Sequence, residues 1–184
     1  MNARLFLLER WLPGPLRRRM LDDLARLTAE SFGAAAPSLA GLSRRDAVRR
    51  FAEFTRTEAE RALAGKGPMT AELVRARLHD RARALGLSVR RRLRIVTRAE
   101  AFRALRLLYR GIGIDIDADW RSGRVVVRRC AFSNTYTPEV CALVSALDAG
   151  IVAGITGGGA LAFSGRITEG ASCCRARVEW SGLA

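Results

Sequence analysis

The chain has 184 residues, 49% of them hydrophobic and 27% charged. This is the size of one ordinary domain or a domain with a helical extension, and the composition excludes a disordered or fibrous chain. A formal net charge of +14 rests on 32 basic residues, of which only Lys66 is a lysine, so arginine bias explains part of the excess.

The charge is unevenly placed. Residues 1 to 110 hold 25 basic and 11 acidic side chains, whereas residues 111 to 184 hold 7 of each. A basic half of this kind attracts nucleic acid, anionic lipid or an acidic partner through fields that salt screens. A solvated arginine-rich helical surface is the favoured reading, ahead of a nucleic-acid contact. No run approaches the roughly 18 uninterrupted apolar residues of a membrane span, and Leu5 to Leu8 is too short for a signal-peptide core. The expectation is a soluble, cytoplasmic protein without a membrane span, in which the four cysteines are thiols.

The first 110 residues read as helices. After Pro13-Gly14-Pro15, the residues Leu16, Met20, Leu24 and Leu27 form a stripe at helical spacing that stops near Gly33. Ser43 with Asp46 opens a second helix, carried by Val48, Phe51 and Phe54 to Gly65. Thr70 opens a third, with Leu73, Val74, Leu78, Ala82 and Leu85 inward and Gly86 as its expected end. The Leu85-Gly86-Leu87 turn and the following Arg90, Arg91, Arg92 and Arg94 loosely resemble a helix-turn-helix. Thr97 and Glu100 form a capping-box pattern before Phe102, Leu105, Leu108 and Tyr109.

At Gly111 the period changes to two. Ile112, Ile114, Ile116 and Ala118 alternate with Gly113 and three aspartates, Arg121-Ser122-Gly123 turns, and Arg124 to Phe132 returns. Thr137 and Pro138 open a helix through Val140, Val144, Leu147 and Ile151 to Gly157-Gly158-Gly159. Leu161 to Ile167 and Cys174 to Trp180 supply two more strands around Gly170. The fold expected is α+β: a basic helical region over 1–110, then a cysteine-bearing domain over 111–184 packed on it. That domain is a four-stranded antiparallel β-β-α-β-β sheet crossed by one helix. An exposed sheet edge and the cluster Leu5, Phe6, Leu8 and Trp11 both seek cover, which points to a homodimer.

All four cysteines lie in the neutral half. Cys130 ends a strand, Cys141 enters the crossing helix, and Cys173-Cys174 open the last strand. Cys141, Ser145, Asp148 and Val152 share one helical face. The helix N-terminus favours thiolate at Cys141, and Asp148 is the candidate base on the same face. The only histidine, His79, sits on a distant helix beside Asp80 and reads as surface. Cysteines packed as small apolar residues are the plain alternative. Thiol ligation of zinc or an iron–sulfur cluster by Cys130, Cys141, Cys173 and Cys174 is another, although no CxxC knuckle is present.

The segment CAFSNTYTPEVCALVSALDAGIVAGI followed by RITEGASCCRA resembles the cysteine-bearing domain of two groups. These are the 4-vinyl reductase-type ligand-binding domains and the L-2-amino-thiazoline-4-carboxylic acid hydrolase-like proteins. The resemblance spans roughly 111–180 and rests on Cys130, Cys141, Gly170 and Cys174, with Gly150 and Gly154 similar to the small residues of the 4-vinyl reductase helix. Cys174-Arg175-Ala176 departs from the closing Cys-Asp-Phe of the hydrolase group. The resemblance implies a hydrolase acting on a carbon–nitrogen bond of a small cyclic amidine, without a cofactor. Cys141 would be the nucleophile and Asp148 the base. Cys130, Ser145 and Cys174 would line the pocket, and Arg129 or Arg175 would hold a substrate carboxylate. The other function class is a sensor that holds a small molecule, a metal or an iron–sulfur cluster, with basic helices for DNA or a protein partner.

Overall fold

A computed structural model describes residues 2–180, the side chain of Ala3 left aside; the end of the cysteine-bearing region, 181–184, lies outside the described residues. Five helices come first: α1 (Ala3–Arg10), α2 (Gly14–Phe32), α3 (Arg44–Leu63), α4 (Ala71–Leu93) and α5 (Arg98–Gly111). Their starts are set by the expected caps. Ser43 accepts from the Asp46 amide, Thr70 from Leu73, and Thr97 with Glu100 closes a reciprocal capping box, each satisfying amides the helix cannot pair internally. Gly33 takes up the left-handed conformation at φ 68° and ends α2, a position that suits glycine because it has no Cβ to clash. The short α1, capped by Asn2, was not expected from the sequence; it buries Leu5 while Phe6, Leu7 and Trp11 stay exposed.

Gly86 does not end its helix. α4 runs on to Leu93 and closes at Arg94 in the left-handed region, so Leu85-Gly86-Leu87 is helix interior and the helix-turn-helix expectation fails. The reason lies across the core, in the elements that follow. β1 (Ile114–Asp119) and β2 (Arg124–Cys130) form a hairpin, α6 (Pro138–Val144) and α7 (Ala146–Thr156) follow, and β3 (Ala160–Gly165) and β4 (Cys174–Glu179) close the chain around a 3-10 turn at Ile167–Glu169. The crossing helix is therefore in two pieces, broken at Ser145. The sheet is antiparallel throughout with order β1-β2-β4-β3, and the fold is α+β as expected.

α4 and α7 meet backbone to backbone through three glycines. A Cβ on Gly86 would lie 2.6 Å from the Ile151 carbonyl oxygen, one on Gly154 2.7 Å from the Leu87 amide, and one on Gly150 2.9 Å from Ala82 Cβ and closer still to the His79 carbonyl. Small residues are required here because the helix axes approach too closely for any side chain. α7 is buried along almost its whole length. The stretch Pro138–Thr156 is long and apolar enough to cross a membrane by length and composition, but its apolar surface is largely taken up by α4, α5 and β3. One buried cluster runs from Leu5 on α1 to Val178 on β4.

The sheet turns one face to the helices and one to solvent. Ile114, Ile116 and Ala118 point inward and pair with Cys130, Val127 and Val125. The register slips between Asp115 and Ile116, which leaves Arg128 without a cross-strand partner, as in a β-bulge. Strict alternation from Val127 would turn Arg129 inward and Cys130 outward. The bulge restores the opposite phase: Arg128 and Arg129 both face solvent, where Arg128 meets Asp117 at 3.6 Å, and Cys130 faces the helices.

Candidate ligand-binding site

Between the helical layer and the inward face of the sheet lies a cavity of about 420 Å³, within the roughly 300–1,000 Å³ span of small-molecule sites. Its walls are mainly apolar, with Leu8 and Leu16 from the N-terminal helices, Val89 and Leu93 from α4, and Leu147 and Ile151 from α7. Polar groups gather at one end. Cys130 at the end of β2, Cys141 on α6, Asp148 on α7 and Cys174 at the start of β4 all line the same space, with Ser145 at the break between α6 and α7. Five of the residues expected from the sequence are thus brought together.

The others are not. Arg129 lies opposite Asp115 on the solvent face of the sheet, and Arg175 lies opposite Val126 on that same face. Both are exposed, and the sheet separates them from the thiols, so neither can hold a substrate carboxylate in the cavity. Cys173 precedes β4 and is not part of the lining. Val152 is buried in the core. His79 pairs with Asp80 at 3.1 Å on the outer side of α4, away from the cavity lining, and forms no pair with a thiol. Among the described residues no group of three or more His, Cys, Asp and Glu side chains is arranged to hold a metal ion.

Asp148 is the centre of the polar end. Its carboxylate accepts a hydrogen bond from the Tyr109 hydroxyl at 2.6 Å. The surface it retains faces the cavity, with protein packed around it. Burial raises its pKa from the ordinary 3.8 to about 6, against the opposing pull of the Tyr109 hydrogen bond and of Arg166. Tyr109 is in turn held neutral by burial and by the carboxylate beside it. No basic side chain lies within ion-pair distance of Asp148 among the described residues. The nearest cationic influence, Arg166, bonds Glu169 at 3.1 Å and lies over the Phe163 ring, 4.7 Å from its centroid.

The thiols are shifted the wrong way for activated nucleophiles. Burial pushes Cys130 up to about 12, with smaller contributions in the same direction from Asp148, Cys174 and Cys141. Cys141 and Cys174 are raised as well, burial first, with Arg166 opposing in both and the Thr168 hydroxyl opposing at Cys141. The direction expected at Cys141 from the helix N-terminus is reversed, because burial of the sulfur dominates. Cys174 is placed by the Ile167 amide, which donates to its sulfur at 3.3 Å.

Sequence reasoning missed the tyrosines. The chain has two, and both Tyr109 and Tyr136 line the cavity. Tyr136 stacks on Phe132 with ring centroids 5.6 Å apart. A tyrosine on the inward face of a helix carries a signal, since its hydroxyl needs a buried partner; for Tyr109 that partner is Asp148. Comparison with protein-family models, with curated proteins and with solved structures finds no match.

Proposed function

We propose that this chain binds a small, largely apolar molecule carrying an ammonium or amidinium group that pairs with Asp148. The observation that carries this reading is a carboxylate at the end of an apolar cavity that, among the described residues, has a tyrosine hydroxyl as its hydrogen-bond partner and no ion pair. A buried charge without a counter-ion is costly, and a cationic ligand offsets that cost while its apolar body fills the cavity. Calorimetric titration with decylamine and decanol is the test. The amine is expected to bind at least about tenfold more tightly above about pH 7, with the advantage disappearing as Asp148 takes up a proton below its pKa of about 6. Equal affinity for amine and alcohol, or no binding of either, would overturn the reading.

A second reading adds chemistry at the same place: hydrolysis of a small cyclic amidine. The pKa of Asp148, close to neutrality, suits a general base better than the raised thiols suit nucleophiles. Asp148 would take a proton from water as the water oxygen bonds to the C=N carbon. The same proton would then pass to the leaving nitrogen as the C–N bond breaks. This version requires turnover to be lost in Asp148→Asn and kept in Cys141→Ser. Kinship with the hydrolase-like and 4-vinyl reductase-type groups is likewise a proposal, supported by the spacing of Cys130, Cys141, Gly170 and Cys174.

A further inference from the structure

The cavity has a second polar region, of opposite sign and at its other limit. Of the residues that line it, three are exposed to solvent: Arg4 on α1, Arg19 on α2 and Arg92 near the end of α4. Exposed lining residues mark the opening, so the mouth is set by three arginines from three different helices, with the partly exposed Asp23 also in the lining. Two of them are held near one another, since the Arg4 guanidinium donates to the Arg92 carbonyl at 3.4 Å. Neither Arg4 nor Arg92 has a carboxylate within ion-pair distance among the described residues. Arg19 has only a loose contact with Asp23 at 3.9 Å, on a side chain that is 73% exposed. Between mouth and inner carboxylate the walls are leucine, methionine, valine and isoleucine, as at Leu16, Met20, Leu85 and Ile112.

We propose that the ligand is an elongated amphiphile with an anionic group, a carboxylate or phosphate, held at the mouth by Arg4, Arg19 and Arg92. This rests on the reading of Asp148 given above and extends it: the cation lies inside, the apolar body spans the leucine-lined stretch, and the anion stays at the rim. The chemistry of the rim selects for it. Guanidinium groups recognise planar oxyanions through paired hydrogen bonds. An anion at the wet mouth sheds little of its hydration, whereas the same group inside would meet Asp148 and three half-buried thiols. Three arginines on separate helices can converge on one headgroup without any of them leaving solvent.

The test compares decylamine with ω-aminodecanoate, which presents the same ammonium to Asp148 and adds a carboxylate at the far end. Shorter and longer relatives, ω-aminohexanoate and ω-aminotetradecanoate, set the span. At low salt, the amino acid of matching length is expected to bind about tenfold more tightly than its amine, with the difference shrinking as salt rises. In the triple variant Arg4→Gln, Arg19→Gln, Arg92→Gln, decylamine should bind as before and the amino acids should lose their advantage. All three positions are exposed, so folding is retained, and unchanged decylamine affinity checks it. Amino acids of every length binding no better than the amines, or an advantage that survives the triple variant, would overturn this inference while leaving the reading of Asp148 intact. Decylamine binding no better than decanol would overturn both.

Discussion

Gly154→Ala lowers the melting temperature by about 6–12 °C, corresponding to about 3 kcal/mol for a domain of this size. In an exposed helix the same change stabilises by up to about 1 kcal/mol, because alanine is the better helix former. Here the new Cβ would stand 2.7 Å from the Leu87 amide and 2.8 Å from Gly86 Cα, and closer still to the Arg83 carbonyl. These are backbone atoms of a neighbouring helix, and they cannot rotate away. α4 and α7 must separate, and with them the apolar wall that Leu85, Val89, Leu147 and Ile151 give to the cavity. Gly165→Ala is the control: beyond its chain neighbours nothing lies within 4 Å of a Cβ there, and the expected change is close to zero. Thermal unfolding followed by circular dichroism checks both. A neutral Gly154→Ala would contradict the close crossing of the two helices.

Asp148→Asn has the opposite sign. The folded protein holds the Asp148 proton to about pH 6, whereas an unfolded aspartate releases it near 3.8. The native state therefore binds more protons in that window. The stability tied to this group is present in full below about pH 4 and lost as pH rises through about 6. The difference corresponds to about 3 kcal/mol at neutral pH. Asparagine keeps an oxygen to accept from Tyr109 and carries no charge to desolvate. The variant should therefore be more stable than the parent by up to about 3 kcal/mol at pH 7, with the gain vanishing near pH 4. Paired denaturant titrations at the two values measure it. A variant less stable than the parent, or a difference independent of pH, would contradict the buried, unpaired carboxylate. The groups that bear on this titration are Tyr109, Arg166 and the thiols of Cys130, Cys141 and Cys174, and burial moves Tyr109 and the thiols upward, away from this window. A residue that costs stability fits the ligand site proposed for Asp148.

Much of the architecture was legible because local rules acted alone. Ser43, Thr70, Thr97 and Thr137 cap helices where hydroxyls precede apolar periodicity, and Ile114, Ile116 and Ala118 alternate because one face of β1 is covered. Gly86 misled because a glycine serves equally as a helix end and as a point of contact between helices. Only the position of Gly154 across the core decides between them.

The site was half legible for a similar reason. Cys141, Ser145 and Asp148 follow from helical spacing, and Cys174 from strand alternation. Arg129 was placed on the wrong side of the sheet because a bulge at Arg128 leaves no mark in the sequence, and the phase of every later residue on β2 depends on it. Nor does spacing distinguish an apolar residue that packs from one that faces a void. Leu16 and Met20 read as ordinary core positions and line the cavity. The arginine rim was hidden in a helical half already crowded with arginine.

Asp148 and three of the four thiols line one cavity, and cysteine alkylation measures directly whether the proposed ligand occupies it. Native protein is treated with iodoacetamide, with and without saturating decylamine, and each cysteine is followed by mass spectrometry. Decylamine is expected to slow Cys130, Cys141 and Cys174 together, in proportion to occupancy, and to leave Cys173 unchanged. Protection of Cys173 alongside the others, or three rates that respond independently of one another, would contradict a common cavity.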